Sequence, residues 1–337
     1  MVIAVLLVFS IFATLNPRVF LSPINLQNMG VAAPEIGILA IAMMLAMLTG
    51  GIDLSLVAIA NLSAITVVML YSAVASTDQA LAESLTIPIL LAGIAMGVAC
   101  GVLNGVLVSG VGITPILATL GTMQILNGIA IVVTGGSTLY GAPQALTDFG
   151  RTAIGPVPLL FVVFIVIAVV VALFISKTPL GRKIQLQGAN PVAARFSGIS
   201  GRTVLMSTYT MGGTLAGIAG VLFLTRNPTA SADYGSSYVL LVIVIAVLGG
   251  TNPNGGFASV AGVVLATMAL QIVSSGFTAI RLSSYEYAIA QGVILIGVMI
   301  LDYLSAQRRL RKSRGAPPRV PTPPPTPLAV TKDSEQS

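Results

Sequence analysis

The sequence predicts an all-α polytopic membrane protein with about ten transmembrane helices, some of them discontinuous, and an internal repeat. Composition is the first observation: 55% of the 337 residues are hydrophobic, only 8% are charged, and the mean hydropathy is +0.98. Soluble globular domains carry about 25% charged residues. Apolar runs near the roughly 20 residues that cross a bilayer recur along the chain. Finally, double glycines interrupt two of these runs, at Gly50–Gly51 and Gly249–Gly250.

Ten segments qualify as spans by apolar content. Segment 1–15 resembles a signal-peptide core, but it lacks a basic leader and further spans follow, so we expect a first transmembrane helix. Segment 238–248 is too short to cross alone and predicts a discontinuous helix. Thr114 and Pro115 should start a helix that Gly135–Gly136 ends. The ten are 1–15, 32–48, 54–72, 88–109, 115–133, 158–176, 204–224, 238–248, 257–275 and 287–304.

Lysine and arginine predict the orientation. Five basic residues lie in the loop 177–203 and seven follow Leu304, whereas the opposite side receives four. Loops rich in Lys and Arg stay in the cytoplasm, so the sequence predicts a multi-pass membrane protein with both termini cytoplasmic. The domain division is then a transmembrane domain, 1–304, with a cytoplasmic loop 177–203, and a basic, proline-rich, disordered cytoplasmic tail, 305–337.

Several absences exclude function classes. The chain contains no histidine, which excludes histidine-dependent catalysis and His–metal sites, and its single cysteine, Cys100, can form no intrachain disulfide. No P-loop motif is present, so ATP must be hydrolysed on a separate subunit if it is used. The few carboxylates of the spans (Glu35, Asp53 and Asp302) are far apart in sequence. We therefore expect no enzyme, catalytic residue, metal or cofactor. The net charge of +6 indicates the lipid bilayer rather than nucleic acid, because the basic residues flank spans.

The breaks Leu48–Ser55 and Val247–Asn254 have the same layout, with Asn252 where Asp53 stands. Short, glycine-broken spans at matching places in two halves, here roughly 31–135 and 204–304, point to a transport pathway and to a repeat. Asp53 has two compatible interpretations: it caps the helix that begins at Leu54, or it helps to form a gate.

The fourth span carries Gly93, Gly97, Gly101 and Gly105, one glycine every fourth residue. This spacing predicts a flat stripe for close helix packing, and Gly213 and Gly217 repeat it in the seventh span. Asn104, beside the stripe, is a candidate for a polar path. The candidate translocation or gate residues are Thr49, Gly50, Gly51, Asp53, Ser55, Asn104, Gly121, Thr122, Gly249, Gly250 and Asn252.

The loop segment Gly188–Ile199 predicts a short amphipathic helix. Asn190 is a good N-cap, Pro191 fits the first turn, and Gly198 suits the left-handed position after the helix. Val192, Phe196 and Ile199 would then share one face. An exposed apolar face on a capped helix favours a docking site for a cytoplasmic partner over an ordinary connector.

These motifs resemble the membrane subunits of bacterial ABC sugar importers of the ribose-permease type, a class that includes permeases for rhamnose and autoinducer 2. The resemblance runs from about Asn25 to Asp302. It rests on Leu48–Ser55, Ala118–Met123, Thr134–Gly136, Gly181–Arg182, Gly188–Ile199 and Gly249–Thr251.

The resemblance implies a permease of the bacterial inner (plasma) membrane that works with a second permease copy or paralogue, two cytoplasmic ABC ATPase subunits and a periplasmic sugar-binding protein. It also implies that the ATPase receives the loop helix. The implied ATPase-coupling residues are Gly181, Arg182, Gly188, Asn190, Pro191, Ala194, Arg195, Phe196, Gly198 and Ile199.

Three alternatives stay open from the sequence. An ABC permease for branched-chain amino acids or nucleosides would share this plan. An ATP-independent secondary carrier would need no ATPase. An intramembrane enzyme is disfavoured by the missing histidines and clustered carboxylates.

Overall fold

A computed structural model describes residues 1–283 and, beyond them, residues 286, 289, 292, 293, 296 and 297. The chain divides into two units, Met1–Gln291 and Gly292–Ser337, and all elements described below belong to the first. Most of the predicted span 287–304, with Asp302, and the whole tail 305–337 lie outside the described residues.

Helices dominate the described part of the chain. Their bounds are α1 Val2–Leu15, α2 Pro17–Phe20, α3 Pro23–Leu48, α4 Leu56–Ala75, α5 Gln79–Ser84, α6 Thr86–Gly105, α7 Pro115–Thr134, α8 Gln144–Arg151, α9 Leu159–Lys177, α10 Pro179–Ala189, α11 Pro191–Phe196, α12 Gly201–Arg226, α13 Tyr238–Leu248 and α14 Val260–Ala279. A π-helical segment, Val106–Val111, extends α6.

Within the described residues, seven helices are long and apolar enough to cross a membrane: α3, α4, α6 with its π-helical extension, α7, α9, α12 and α14. The prediction of an all-α polytopic membrane protein is confirmed, whereas the count of ten is not. Two of the remaining predicted spans form shorter helices, the 14-residue α1 and the 11-residue α13.

Helix α3 begins at Pro23, nine residues before the predicted start at residue 32. The Ser22 hydroxyl accepts a hydrogen bond from the Asn25 amide, and Pro23 occupies the first turn, which together nucleate the helix early. This start was not predicted because the polar residues Gln27 and Asn28 lie in the first turns. Both line a cavity that also contains Arg151 and Arg226.

The core lies around α3, whose residues from Ile38 to Leu48 are almost completely buried. Helices α9, α12, α13 and α14 pack around it, and α12 also packs against α4 and α6. Phe12 of α1 packs against Phe277 of α14, where the absent side chain of Gly276 leaves room for its ring.

The bundle has two ends that differ in structure. One end carries α10 and α11 and is called the α11 end. The other, the α8 end, is closed by α8 and two antiparallel pairs of two-residue strands, β1 (Leu139–Tyr140) with β4 (Thr229–Ala230) and β2 (Ala153–Ile154) with β3 (Val157–Pro158). These strands were not predicted from the sequence, because two residues are too few to show the alternation of polar and apolar residues that is typical of a strand.

Candidate functional site

The two glycine breaks end their helices in the same way. After α3, Gly50 has a φ of +80° and its amide donates to the Met47 carbonyl at 2.8 Å, while the Gly51 amide donates to Ala46 at 3.1 Å. After α13, Gly250 has a φ of +86° and its amide donates to Val247 at 2.8 Å, while the Thr251 amide donates to Ala246 at 3.0 Å. In each break this pair of hydrogen bonds forms a Schellman motif, in which a residue with positive φ ends a right-handed helix. The equivalent residues of the two breaks are 200 positions apart.

A second shared feature follows each break. Asp53 accepts a hydrogen bond from the Ser55 amide at 3.0 Å, and Asn252 accepts one from the Asn254 amide at 3.0 Å. Both are Asx turns. Asn252 therefore corresponds to Asp53 in its turn, as predicted. The two turns are 199 positions apart, whereas the helix ends are 200 apart, because the second break has one residue fewer between helix end and turn. A repeat of the complete halves stays a prediction.

Asp53 belongs to a buried polar cluster. The Ser55 hydroxyl donates to the Asp53 carboxylate at 2.6 Å, and the Asn104 amide donates to the Ser55 hydroxyl at 2.7 Å. All three side chains are at most 1% exposed. Asp53 was expected to cap a helix beginning at Leu54, but α4 begins at Leu56 with Ser55 as its N-cap, and the Asp53 carboxylate instead closes the turn before the helix by accepting from the Ser55 amide and hydroxyl. The Thr119 hydroxyl accepts from the Leu54 amide and fixes the same loop to α7.

Both breaks meet the end of α10 through main-chain atoms. The Gly256 amide donates to the Leu48 carbonyl at 3.0 Å. A Cβ on Gly188 would overlap the Leu48 carbonyl oxygen and lie 2.7 Å from the Gly256 nitrogen. A Cβ on Gly255 would lie 2.6 Å from the Gly188 oxygen and 3.0 Å from the Gly50 nitrogen. Gly50, Gly188, Gly255 and Gly256 are called the glycine junction.

Helix α11 has the capping geometry that the sequence predicts. The Asn190 side chain accepts from the Ala193 amide at 3.0 Å, and Gly198 has a φ of +76°. Ala194 is buried against the protein, while Val192 and Phe196 are 64% and 89% exposed. Ile199 is half-buried and so contributes less to the exposed face than expected. Arg195 and Phe196 line an open hollow of about 740 Å³ that reaches α12.

Gly181 and Arg182 begin α10 in different environments. A Cβ on Gly181 would overlap the Phe174 carbonyl, so the glycine lets α10 fold closely onto α9. Arg182 is exposed.

A cavity of about 300 Å³, called the inner cavity, lies between α4, α7 and the segment before α13. The Asn61 amide nitrogen donates to the Ala232 carbonyl at 2.8 Å, whereas its amide oxygen is buried without a partner. The lining residues are Val57, Ala58, Asn61, Met123, Asn127, Ala232, Asp233, Ser236 and Val239.

A larger cavity, about 660 Å³, opens at the α8 end and contains Gln27, Asn28, Arg151 and Arg226. The Arg226 guanidinium also approaches the buried Glu35 carboxylate at 3.5 Å.

Comparison with known proteins assigns the chain to a family. Residues 25–301 match the family described as "Branched-chain amino acid transport system / permease component". The chain belongs to this family. The predicted extent, about Asn25 to Asp302, agrees with the match, so the expected resemblance to ABC import permeases is confirmed. As a member, the protein is a transport component rather than an enzyme and a multi-pass protein of the inner membrane.

Curated relatives include the ribose import permease protein of Bacillus subtilis, 30% identical over 87% of this chain and 88% of that protein. The D-allose transport system permease protein of Escherichia coli is 28% identical over 88% of this chain and 89% of that protein. The autoinducer 2 import system permease protein of Photorhabdus temperata is 32% identical over 91% of each. No solved structure is detectably similar to the chain.

In the permease, the structure brings most of the predicted site residues together at the α11 end. Thr49 to Gly51 and Gly249 to Asn252 lie in the two chain segments that form the glycine junction, whereas Asp53, Ser55 and Asn104 form the buried polar cluster. Thr122 is buried in α7 and donates to the Thr119 carbonyl. Gly121 lies apart, on the exposed face of α7. Gly255 and Gly256 were not among the predicted residues, although their double glycine is a visible signal in the sequence. The inner cavity was not predicted either, because its residues come from three distant segments.

Proposed function

We propose that the chain is the transmembrane permease subunit of an ABC importer, translocating a monosaccharide or related small polyol or furanose delivered by a periplasmic binding protein. The relatives support this substrate class, because they are named as permeases for ribose, D-allose and autoinducer 2. The ATPase subunits and the binding protein follow from the family, and a second permease copy or paralogue would complete the pore.

The single observation that carries the proposal is the placement of α11. Its apolar side chains, Val192 and Phe196, project into solvent instead of the core. Burying one such side chain against a partner is worth about 1.5–3 kcal/mol. The helix follows directly from the α10 end that touches both breaks. A protein that holds Phe196 can therefore move the breaks.

The proposed mechanism is alternating access. ATP-driven closure of the ATPases displaces α11, and the glycine junction transmits this displacement to the ends of α3 and α13. Because both helices stop there, their broken ends can tilt without disrupting a continuous span. Sugar released by the binding protein at the α8 end would then pass to the α11 end. The basic loop 177–203 supports a cytoplasmic position of the α11 end and of both termini.

A second candidate is import of branched-chain amino acids, which the description of the family favours. Uptake of a labelled sugar, labelled leucine and a labelled nucleoside, each challenged by the unlabelled compounds, separates the classes. Uptake of leucine that sugars do not inhibit, without uptake of the sugar, would replace the proposed substrate. Uptake that ionophores abolish and ATPase inactivation spares would favour a secondary carrier.

The deciding experiment purifies the tagged chain from its native membranes in mild detergent and identifies copurifying proteins by mass spectrometry. We expect a P-loop ATPase in stoichiometric amount, lost with Phe196→Asp and kept with the control Phe196→Leu, which preserves an apolar side chain. Both variants should insert normally. ATPase recovery with Phe196→Asp, together with wild-type uptake, would refute the docking role of α11.

A further inference from the structure

We propose that the inner cavity is a transient binding site for a neutral, polyhydroxylated molecule, that is, for the transported sugar. This inference rests on the proposed function and adds the residues that the sugar meets inside the permease.

The first argument is the unpaired oxygen of Asn61. The side chain is 2% exposed, and its amide group lies at the cavity wall with the nitrogen donating to Ala232 and the oxygen without a protein partner. A buried acceptor without a donor costs about 1–3 kcal/mol. The oxygen has no exposed surface in this conformation, so a hydroxyl in the cavity supplies that donor when the neighbouring wall side chains move aside.

The second argument is the character of the wall. Asn127, Asp233 and Ser236 add amide, carboxylate and hydroxyl groups, while Val57, Met123 and Val239 are apolar. A sugar matches this mixture because it presents hydroxyls at its edges and C–H groups on its faces. The volume, about 300 Å³, falls at the small end of the roughly 300–1,000 Å³ range of small-molecule sites.

Charge distinguishes a sugar from an amino acid. The cavity lining includes Asp233 but no lysine or arginine. Although Asp233 is exposed, the carboxylate of an amino acid would lie beside this like charge without a cationic partner. A neutral sugar pays no such penalty, and the Asp233 carboxylate can accept bonds from its hydroxyls.

The inner cavity lies on the α8 side of the first break. Asn61 lies six residues after Ser55, about 9 Å along α4 at 1.5 Å per residue. Asn127 lies eight residues after Thr119, about 12 Å along α7. Because Ser55 and Thr119 both belong to the hydrogen bonds that fix the break, a molecule in the cavity is separated from the α11 end by the break itself.

The test uses cysteine modification in the complete transporter. Cys100→Ala removes the single cysteine, and Asn127→Cys then places a thiol in the cavity wall. Gln124→Cys, on the exposed face of the same helix, is the matched control, and Ser236→Cys is a second reporter from another wall. The probe is whichever sugar the unmodified transporter takes up from a panel of pentoses and hexoses that includes D-ribose and D-allose.

We expect this sugar to slow modification at position 127 saturably and to leave position 124 unaffected. Adding Asp233→Asn should raise the half-protecting sugar concentration about tenfold, because a charged acceptor becomes neutral. Ser63→Ala, which changes a buried hydroxyl outside the cavity lining, should leave it unchanged.

A sugar that is transported yet protects neither position 127 nor position 236 would overturn the cavity site and leave the proposed function standing. Equal protection with and without Asp233→Asn would overturn the assignment of Asp233. If no sugar of the panel is taken up while leucine is, the proposed function fails and the sugar site fails with it.

Discussion

At the scale of the residue, the absence of a side chain determines how closely the α10 end approaches the two breaks. Gly188 lies against the Leu48 carbonyl and the Gly256 amide, with no space for a methyl group. Gly255 and Gly256 have φ values of +94° and +83°, which L-residues with side chains rarely adopt. The junction therefore depends on glycine for two separate reasons, close approach and backbone conformation.

Gly188→Ala should abolish uptake, because its Cβ forces α10 away from Leu48. Gly201→Ala is the control at the same end of the bundle, since its Cβ would meet only the Gln187 side chain, at 3.1 Å or more. Uptake into proteoliposomes measures transport by both variants, and thermal unfolding in detergent measures their stability. Full uptake by Gly188→Ala would show that the junction does not transmit movement.

Asp53 offers a test of cap against gate. Asp53→Asn keeps the Oδ1 acceptor, so the Asx turn, the unfolding temperature and uptake should all stay close to wild type. Asp53→Ala leaves the Ser55 groups unpaired and should destabilise the protein by about 1–3 kcal/mol. Well-expressed Asp53→Asn protein without uptake would instead mean that the negative charge itself is required.

At the scale of the element, α6 and α12 pack backbone to backbone. A Cβ on Gly97 would lie 2.6 Å from both the Gly213 oxygen and the Gly217 Cα, and one on Gly101 would lie 2.9 Å from the Gly213 Cα. The four-residue spacing predicted the stripe but not its partner, because two stripes in one chain do not reveal whether they face each other.

Gly97→Ala should lower stability by about 1–3 kcal/mol, the usual cost of overfilling a packed contact. Gly128→Ala in α7, where a Cβ meets no atom within 4 Å, is the control and should leave stability unchanged or slightly higher. Thermal unfolding of both variants makes the comparison. Equal unfolding temperatures would show that the two helices separate easily.

Glu83 links α5 to the start of α8. Its carboxylate accepts from the Tyr71 hydroxyl and from the Gln144 amide, at 3.1 Å in the latter case. These bonds, the Tyr71 bond first, hold the pKa of Glu83 below its ordinary value of 4.5. Its contribution to stability is therefore present above pH 4.5 and is lost as the pH falls through the lowered pKa.

Glu83→Gln should consequently unfold at a lower temperature than wild type near pH 7, and the difference should shrink in acid. Comparing the two proteins across pH removes the contribution of the other carboxylates. A difference independent of pH would show that shape rather than charge matters at this position.

The sequence predicted helices best where start and stop signals were local. Asn190, Pro191 and Gly198 defined α11 because each acts on neighbouring backbone groups. The start of α3 was predicted too late because its polar first turns face a cavity formed by other segments. The four short strands depend on pairing partners, such as Leu139 with Ala230, that no local pattern identifies.

At the scale of the whole molecule, the two ends differ in charge as they do in structure. Lys177, Arg182, Lys183, Arg195 and Arg202 all belong to the segment 177–203 at the α11 end, whereas Asp78, Glu83 of α5 and Asp148 of α8 lie at the α8 end. This distribution agrees with a cytoplasmic α11 end.

Orientation can be measured with introduced cysteines, since Cys100 is buried in α6. In the Cys100→Ala background, a membrane-impermeant maleimide applied to spheroplasts should label Gln79→Cys at the α8 end. It should label Ser197→Cys at the α11 end only after lysis. Both positions are exposed. The reverse pattern would invert the proposed topology.

The site was predictable only in part. Asp53, with Ser55 close by, stood out because a carboxylate is rare within apolar sequence. Gly188 stood out because it begins the segment that contains the capped helix after Asn190. That the segments around residues 50, 188 and 255 touch, and that Asn61 shares a cavity with Asn127 and Asp233, are long-range facts of packing. They became visible only when the helices were placed together.

The contact at Gly188 has a mechanical consequence. Main-chain atoms have no rotamers, so such a contact cannot absorb a displacement by turning a side chain. Helix α11 begins at Pro191, only three residues after Gly188, at the same end of α10. A displacement of α11 would therefore reach both broken helices almost undiminished and at the same time, so opening and closing would occur in one concerted step.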